Sequence, residues 1–184
     1  MNSTPERSGP QTAVVRLDDE SALGPLAARL AAVLPARAFV ALHGDLGAGK
    51  TTLVKAVAAA AGFDPTDVVS PTFGLIHEHR HDGVRLVHAD MYRISGIGEL
   101  HETGWEDAVA GPGWVFVEWP ERIAAVLPAD RLDVGITVAS PTARTFAFAS
   151  RGPGHDAVVA AVRGRFQAAD VPSSAAHLTS RRTS

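Results

Sequence analysis

The segment Gly44-Asp-Leu-Gly-Ala-Gly49-Lys50-Thr51 constrains this 184-residue chain more than any other. Gly, four residues, Gly, Lys, Thr is the spacing of a phosphate-binding loop. Small residues let successive backbone N–H groups turn inward around an anion, and the helix that follows adds partial positive charge at its N-terminus. Its surroundings agree. Ala38 to His43 (AFVALH) is a short apolar run of the kind a strand buried on both faces carries, and Lys50 to Ala61 reads as a helix. The loop assigns Asp45, Leu46, Gly47, Ala48, Gly49, Lys50, Thr51 and Thr52 to nucleotide binding, with Lys50 reaching the β and γ phosphates and the Thr51 hydroxyl on Mg²⁺. Lys50 and Lys55 are the only lysines beside 15 arginines, so an ammonium stands at the one place where a guanidinium has the wrong shape.

The loop also limits the ligand. A dinucleotide fingerprint fails, because Gly47-Ala-Gly49-Lys-Thr-Thr52 lacks the third glycine that its helix packing needs. Guanine is disfavoured, since neither lysine sits in the Asn/Thr-Lys-x-Asp setting that reads that base. ATP is the expected nucleotide.

The rest of the chain predicts an α/β fold: a single P-loop NTPase domain with a mixed, mostly parallel central sheet, flanking helices and an antiparallel hairpin. Thr12 to Leu17 reads as a strand, Ser21 to Leu34 as a helix, and Trp114 to Trp119 (WVFVEW) as another buried strand. Val69 to His79 and Val84 to Asp90 flank an Asp82-Gly83 turn signal and form the expected hairpin. Leu132 to Val138 and Thr145 to Ala149 are late strands around Ser140-Pro141, and Asp156 to Phe166 is a closing helix. The polar, proline-bearing residues 1–10 and the serine-rich residues 170–184 read as disordered tails around a domain at 11–169.

Acids near a phosphate loop are the next requirement. Glu118 ends WVFVEW, where strand ends meet the loop. There it either holds the cation, directly or through water, or polarises the attacking water; the plainer alternative is a solvated strand-end carboxylate. Asp90 ends VRLVHAD as the second acid, with a helix cap before Met91-Tyr92-Arg93 as its alternative. Ser70-Pro71-Thr72-Phe73 offers two hydroxyls where segments that sense a γ-phosphate tend to lie, or else an ordinary proline turn. Arg93 suits either a phosphate contact or a surface ion pair. His77, His79 and His81 alternate along one strand and read as a solvated hairpin face rather than a metal comb. Trp105, Trp114 and Trp119 read as packing, with Trp119 also lining the nucleotide pocket.

Composition excludes several classes. The chain has no Cys, which removes disulfides and thiolate metal sites. Seventeen Lys and Arg against 20 Asp and Glu leave a formal charge of -3, with no basic run to track phosphates, so tRNA or any other nucleic acid is not expected as a direct, tight partner. Leu53 to Ala61, the most apolar run, is interrupted by Lys55 and far too short for a membrane span. The N-terminus lacks the apolar core of a signal peptide, and a cytoplasmic location is expected.

With GDLGAGKTT, SPTF, HADMYR, GEL and VEWPE in that order, the chain resembles the bacterial TsaE family of tRNA threonylcarbamoyladenosine biosynthesis proteins over roughly residues 12 to 150. The resemblance implies a weak ATPase that is active mainly in complex with a TsaD-type transferase and a TsaB-type companion. These make threonylcarbamoyladenosine beside the tRNA anticodon, so that tRNA is met only indirectly. Carried onto this chain, the family's nucleotide and Mg²⁺ residues are Lys50, Thr51, Ser70, Thr72, Asp90 and Glu118. Lys50, Asp90 and Glu118 are the expected catalytic residues, and Thr51 and Glu118 the expected metal ligands. His101 and Thr103 depart from the acidic and apolar residues usual there. A small-metabolite kinase is the alternative that the loop alone would allow, although no lid-like insertion with clustered arginines accompanies it.

Overall fold

The computed structural model describes residues 10–68, 71 and 75–166. Its elements in chain order are β1 (Thr12–Leu17), α1 (Leu23–Val33), β2 (Arg37–His43), α2 (Lys50–Ala60), β3 (Ile76–His81), β4 (Val84–Asp90), α3 (Ile97–His101), α4 (Trp105–Ala110), β5 (Gly113–Glu118), β6 (Leu132–Val138), β7 (Arg144–Ser150) and α5 (Asp156–Phe166). One seven-stranded sheet runs in the order β1-β7-β6-β2-β5-β4-β3. The four central strands, β6, β2, β5 and β4, are mutually parallel, and antiparallel pairs close both edges. The expected α/β class and the β3–β4 hairpin are therefore present.

Burial follows position in the sheet. β5 is buried at every residue and β2 at all but its ends, as parallel strands covered on both faces must be. Edge strand β1 instead alternates, burying Ala13, Val15 and Leu17. Helices α1, α2 and α5 cover one face over a core that includes Leu26, Val57, Phe116, Phe148 and Val159. The short helices α3 and α4 and the 3₁₀ stretch Pro120–Val126 cover the other, over Phe39, Met91, Trp105, Val117 and Ile123. Where β6 has not yet begun, the Phe39 N–H donates to His155 Nε2 at 3.4 Å, and His155 Nδ1 lies 2.9 Å from Asp130 Oδ1, so a side chain meets a donor that the sheet leaves open.

Several expectations need correction. The helix expected at Ser21 starts as a 3₁₀ turn over Glu20–Ala22, capped by the Asp19 side chain on the Ser21 N–H, and becomes α-helical only at Leu23. The first hairpin strand begins at Ile76; residues 69, 70 and 72–74 lie outside the described residues, as do the expected tails except Pro10. The His77, His79 and His81 face is half-buried rather than solvated, because the chain leaving α2 packs over it: the rings of Phe63 and His81 stand 5.5 Å apart, and a Cβ on Gly62 would lie 2.9 Å from His81 Nε2. Among the described residues no helix is long and apolar enough to cross a membrane.

Candidate functional site

Because β2, β5 and β4 are parallel neighbours, their C-terminal ends open on one side of the sheet. The register sets Leu42 of β2 opposite Glu118 of β5, and Glu118 opposite Asp90 of β4. The loop that leaves β2 therefore turns directly beside both acids, at the carboxyl edge where open α/β sheets bind ligands.

Glycine is required twice in that loop. At Gly44, with φ of 145°, an added Cβ would lie 2.5 Å from the Ile136 carbonyl oxygen, so only glycine lets the chain pass β6. At Gly49, with φ of 107°, the chain takes a conformation that opens α2 and is costly for any other residue. The Ala48 N–H donates to the Asp45 carbonyl at 3.1 Å and tightens the turn. Arg144, at the start of β7, donates from Nε to the Ala48 carbonyl at 3.2 Å and ties the loop to the β6–β7 turn, where it also holds the Ser140 carbonyl at 3.0 Å.

Lys50 opens α2 and is 4% exposed. Its Nζ donates to the carbonyls of Gly44 (2.7 Å) and Asp45 (3.0 Å) and stands 4.0 Å from the centre of the Trp119 ring. Burial pulls its pKa down, and the charges of Glu118, Asp90, Glu121 and Asp45 pull it back up. Trp119 itself is held at φ 58°, a left-handed conformation that is strained for a bulky residue. Its ring faces Lys50 on one contact and the ring of Tyr92, 5.0 Å away, on another.

Glu118 is 4% exposed, so the solvated strand-end alternative is excluded by its burial. Its Oε1 accepts the Thr51 hydroxyl at 2.6 Å and lies 2.9 Å from His88 Nε2. A carboxylate can only accept, so His88 donates through Nε2. Asp90 accepts the Tyr92 N–H at 3.0 Å, which makes it a turn-capping residue as well as a neighbour of the site. Burial pushes its carboxyl up, the Tyr92 N–H opposes that, and the nearby Glu118 charge adds to it.

Leu46, Gly47, Gly49, Lys50, Thr51, Thr52, Asp90, Glu118 and Trp119 all border one cleft of about 340 Å³, joined by Leu75, Tyr92 and Arg93. A second cleft of about 260 Å³ continues past Gly47, Gly49 and Thr52 to Ala48, Arg144 and Phe146. Asp45 contributes its backbone carbonyl to Lys50, while Ala48 turns its side chain into the core. Ser70 and Thr72 lie outside the described residues. A larger concavity of about 430 Å³ sits at the opposite ends of the strands, around Phe39, Trp105 and His155, away from the glycine loop. Two residues of the first site were not singled out from the sequence. Arg144 carries no local signal, whereas His88 could have been found from its alternation with Asp90 along VHAD, which puts both on one face of β4.

A glycine loop between a central parallel strand and a helix, with acids on the two next parallel strand ends, defines the class: a P-loop nucleotide-binding α/β protein. Comparison of sequences gives the particular family. The profile of the threonylcarbamoyl adenosine biosynthesis protein TsaE matches residues 17–146, and the chain belongs to that family. The tRNA threonylcarbamoyladenosine biosynthesis protein TsaE of a Nostoc species is 40% identical over 116 residues, covering 61% of this chain and 70% of that one. Its counterpart from Rickettsia felis is 33% identical over 122 residues, 66% of this chain and 71% of that one. Among solved structures, the crystal structure of Bacillus subtilis YdiB superimposes with a TM-score of 0.67 at 28% identity, covering 85% of this chain and 97% of that one.

Proposed function

We propose that this chain is a Mg²⁺-dependent ATPase whose hydrolysis drives the cycle of a TsaD-type transferase and a TsaB-type companion in tRNA threonylcarbamoyladenosine synthesis. The observation that carries the reading is the meeting of the loop's Thr51 hydroxyl with the buried Glu118 carboxylate, 2.6 Å apart beside Lys50. Mg²⁺ takes one or two protein oxygens and completes its shell with phosphate and water. Thr51 and Glu118 are oxygen donors of that kind, and they would hold the ion, which would supply neutralisation of phosphate charge when bound.

The chain's own residues do the remainder. Backbone N–H groups of the loop cradle the phosphates. Lys50 exchanges its two carbonyl partners for phosphate oxygens, and burial makes that charge count for more than it would in water. Glu118 orients the attacking water or shares the ion, and Asp90 adds a second carboxylate at the next strand end. The continuing cleft mixes apolar lining from Leu17, Leu23, Pro141 and Phe146 with polar lining from Asp19, Glu20, Thr142 and Arg144, and in this reading it takes the adenine. Family membership favours this over the metabolite kinase. With a formal charge of -3, the chain meets tRNA through its partners rather than by its own surface.

The test is ATP turnover by the full chain, alone and with TsaD-type and TsaB-type proteins from the same cells. The proposal expects slow hydrolysis alone, acceleration by the partners, and threonylcarbamoyladenosine formation that requires all three. Hydrolysis that appears only with a small phosphate acceptor, or modification that proceeds without this chain, overturns it.

A further inference from the structure

Of the buried polar residues, the ATPase reading uses Lys50 and Glu118 and gives His88 no task. His88 is fully buried, at 0% exposure, on the face of β4 that also carries Leu86 and Asp90. Its register neighbours are Phe116 of β5 and His77 of β3, and Leu86 and Phe116 belong to the apolar core on that side. The hydrogen bond it makes is the one from Nε2 to Glu118 Oε1, at 2.9 Å, and its Nδ1 has no partner among the described residues.

That combination is informative. A buried ring nitrogen with no partner costs stability, so an aliphatic side chain would serve packing at position 88 better than an imidazole does. What the imidazole supplies is a donor aimed at Glu118. Because the carboxylate can only accept, the ring carries a proton on Nε2, while Nδ1 meets no partner among the described residues. The same Glu118 oxygen also accepts from Thr51, at 2.6 Å. In the proposed function Thr51 is needed at the cation once nucleotide arrives, so its hold on Glu118 cannot be relied on during turnover. His88 is rooted in the sheet and has no competing partner among the described residues.

We propose, resting on the ATPase reading above, that His88 is a positioning residue: its Nε2–H holds the Glu118 carboxylate in the orientation that turnover requires after the Thr51 hydroxyl has been drawn away. His88 touches no substrate and acts through Glu118. The role accounts for a polar ring, its Nδ1 unmet among the described residues, standing beside Leu86 and Phe116 in the core.

The test uses the full chain and two variants. His88→Leu keeps an apolar filling and removes the donor; His88→Gln restores an N–H at about the place of Nε2. Expected for His88→Leu is a kcat reduced at least tenfold, a KM for MgATP within about threefold of wild type, and a thermal midpoint equal to or above wild type. His88→Gln should recover kcat to within about threefold of wild type. Independently of activity, the ¹⁵N-edited spectrum of the nucleotide-free protein should show a His88 ring protonated at Nε2, with a signal that shifts in Glu118→Ala. Wild-type kcat in His88→Leu, equal loss of kcat and thermal midpoint in both His88 variants, or a ring with no proton on Nε2 each overturns the proposal. Should the wild type bind ATP but never hydrolyse it, even with the partners, the ATPase reading falls. The spectrum and the midpoints still decide whether the His88–Glu118 hydrogen bond exists as described.

Discussion

Replacing Glu118 by Gln separates what this carboxylate does for the fold from what it does for chemistry. Both hydrogen bonds it accepts, from Thr51 and His88, converge on Oε1, and the amide carbonyl of Gln can accept both in the same shape. The net change in folding stability should therefore stay below about 1 kcal/mol, a shift of a few degrees at most in the thermal midpoint. MgATP binding should persist. Turnover should not, because the change removes a full negative charge from a buried site where charge is weakly screened. A loss of at least tenfold in kcat corresponds to about 1.4 kcal/mol of barrier, a modest demand on a charge-assisted contact. A second consequence follows from Lys50. Burial lowers its pKa, and Glu118 is the foremost of the carboxylates that hold it up. In Glu118→Gln the lysine should lose its proton at lower pH than in wild type, so ATP affinity should begin to fall earlier as the pH is raised. Calorimetry across pH and a phosphate-release assay read both effects. Unchanged turnover in a folded, ATP-binding variant would refute the reasoning and leave Glu118 as a structural strand end.

Two further predictions test the supports of the site. Arg144→Ala removes the 3.2 Å hydrogen bond to Ala48 and the link to the β6–β7 turn, and should weaken ATP binding by about threefold to tenfold with little change in secondary structure, as calorimetry and circular dichroism would show. Asp133 of β6 accepts Arg131 Nε at 2.7 Å and Arg151 Nε at 2.6 Å, with His43 Nε2 at 3.8 Å. Burial pushes its carboxyl up, but the contacts from His43, Arg151 and Arg131 outweigh burial and hold it well below the usual carboxylate range. A folded-state pKa below the unfolded value, about 3.9 for Asp, stabilises the fold above that pH and loses the contribution as pH falls toward the folded value. Asp133→Asn should cost about 1.5–3 kcal/mol at pH 7, and the gap to wild type in denaturant melts should narrow below about pH 4. A gap that stays constant with pH would contradict it.

The strands and the long helices were legible because each has a period or run that its surroundings explain. TAVVRL alternates because β1 is an edge with one covered face, and its residues 12–17 match the strand found. WVFVEW is continuous because β5 lies between two parallel neighbours. The stretch from Ile97 to Ala110 hides α3 and α4, which span five and six residues around Gly104, too few turns for a helical period to show. The glycine loop and the two strand-end acids could be read from spacing alone. The half-burial of His77, His79 and His81 could not, because nothing local says that the chain after α2 returns over them. Nor could the Thr51–Glu118–His88 contact, which joins three segments by sheet register rather than by sequence distance.

The central claim is that this loop binds ATP through Lys50. Titration calorimetry of MgATP into the full chain and into Lys50→Ala tests it most directly. Loss of a charge-assisted contact worth about 1.5–3 kcal/mol predicts a Kd raised by roughly 10- to 150-fold, with the variant's thermal midpoint and secondary structure otherwise close to wild type. Equal affinity of the two proteins for MgATP, or no binding by either, would contradict the account.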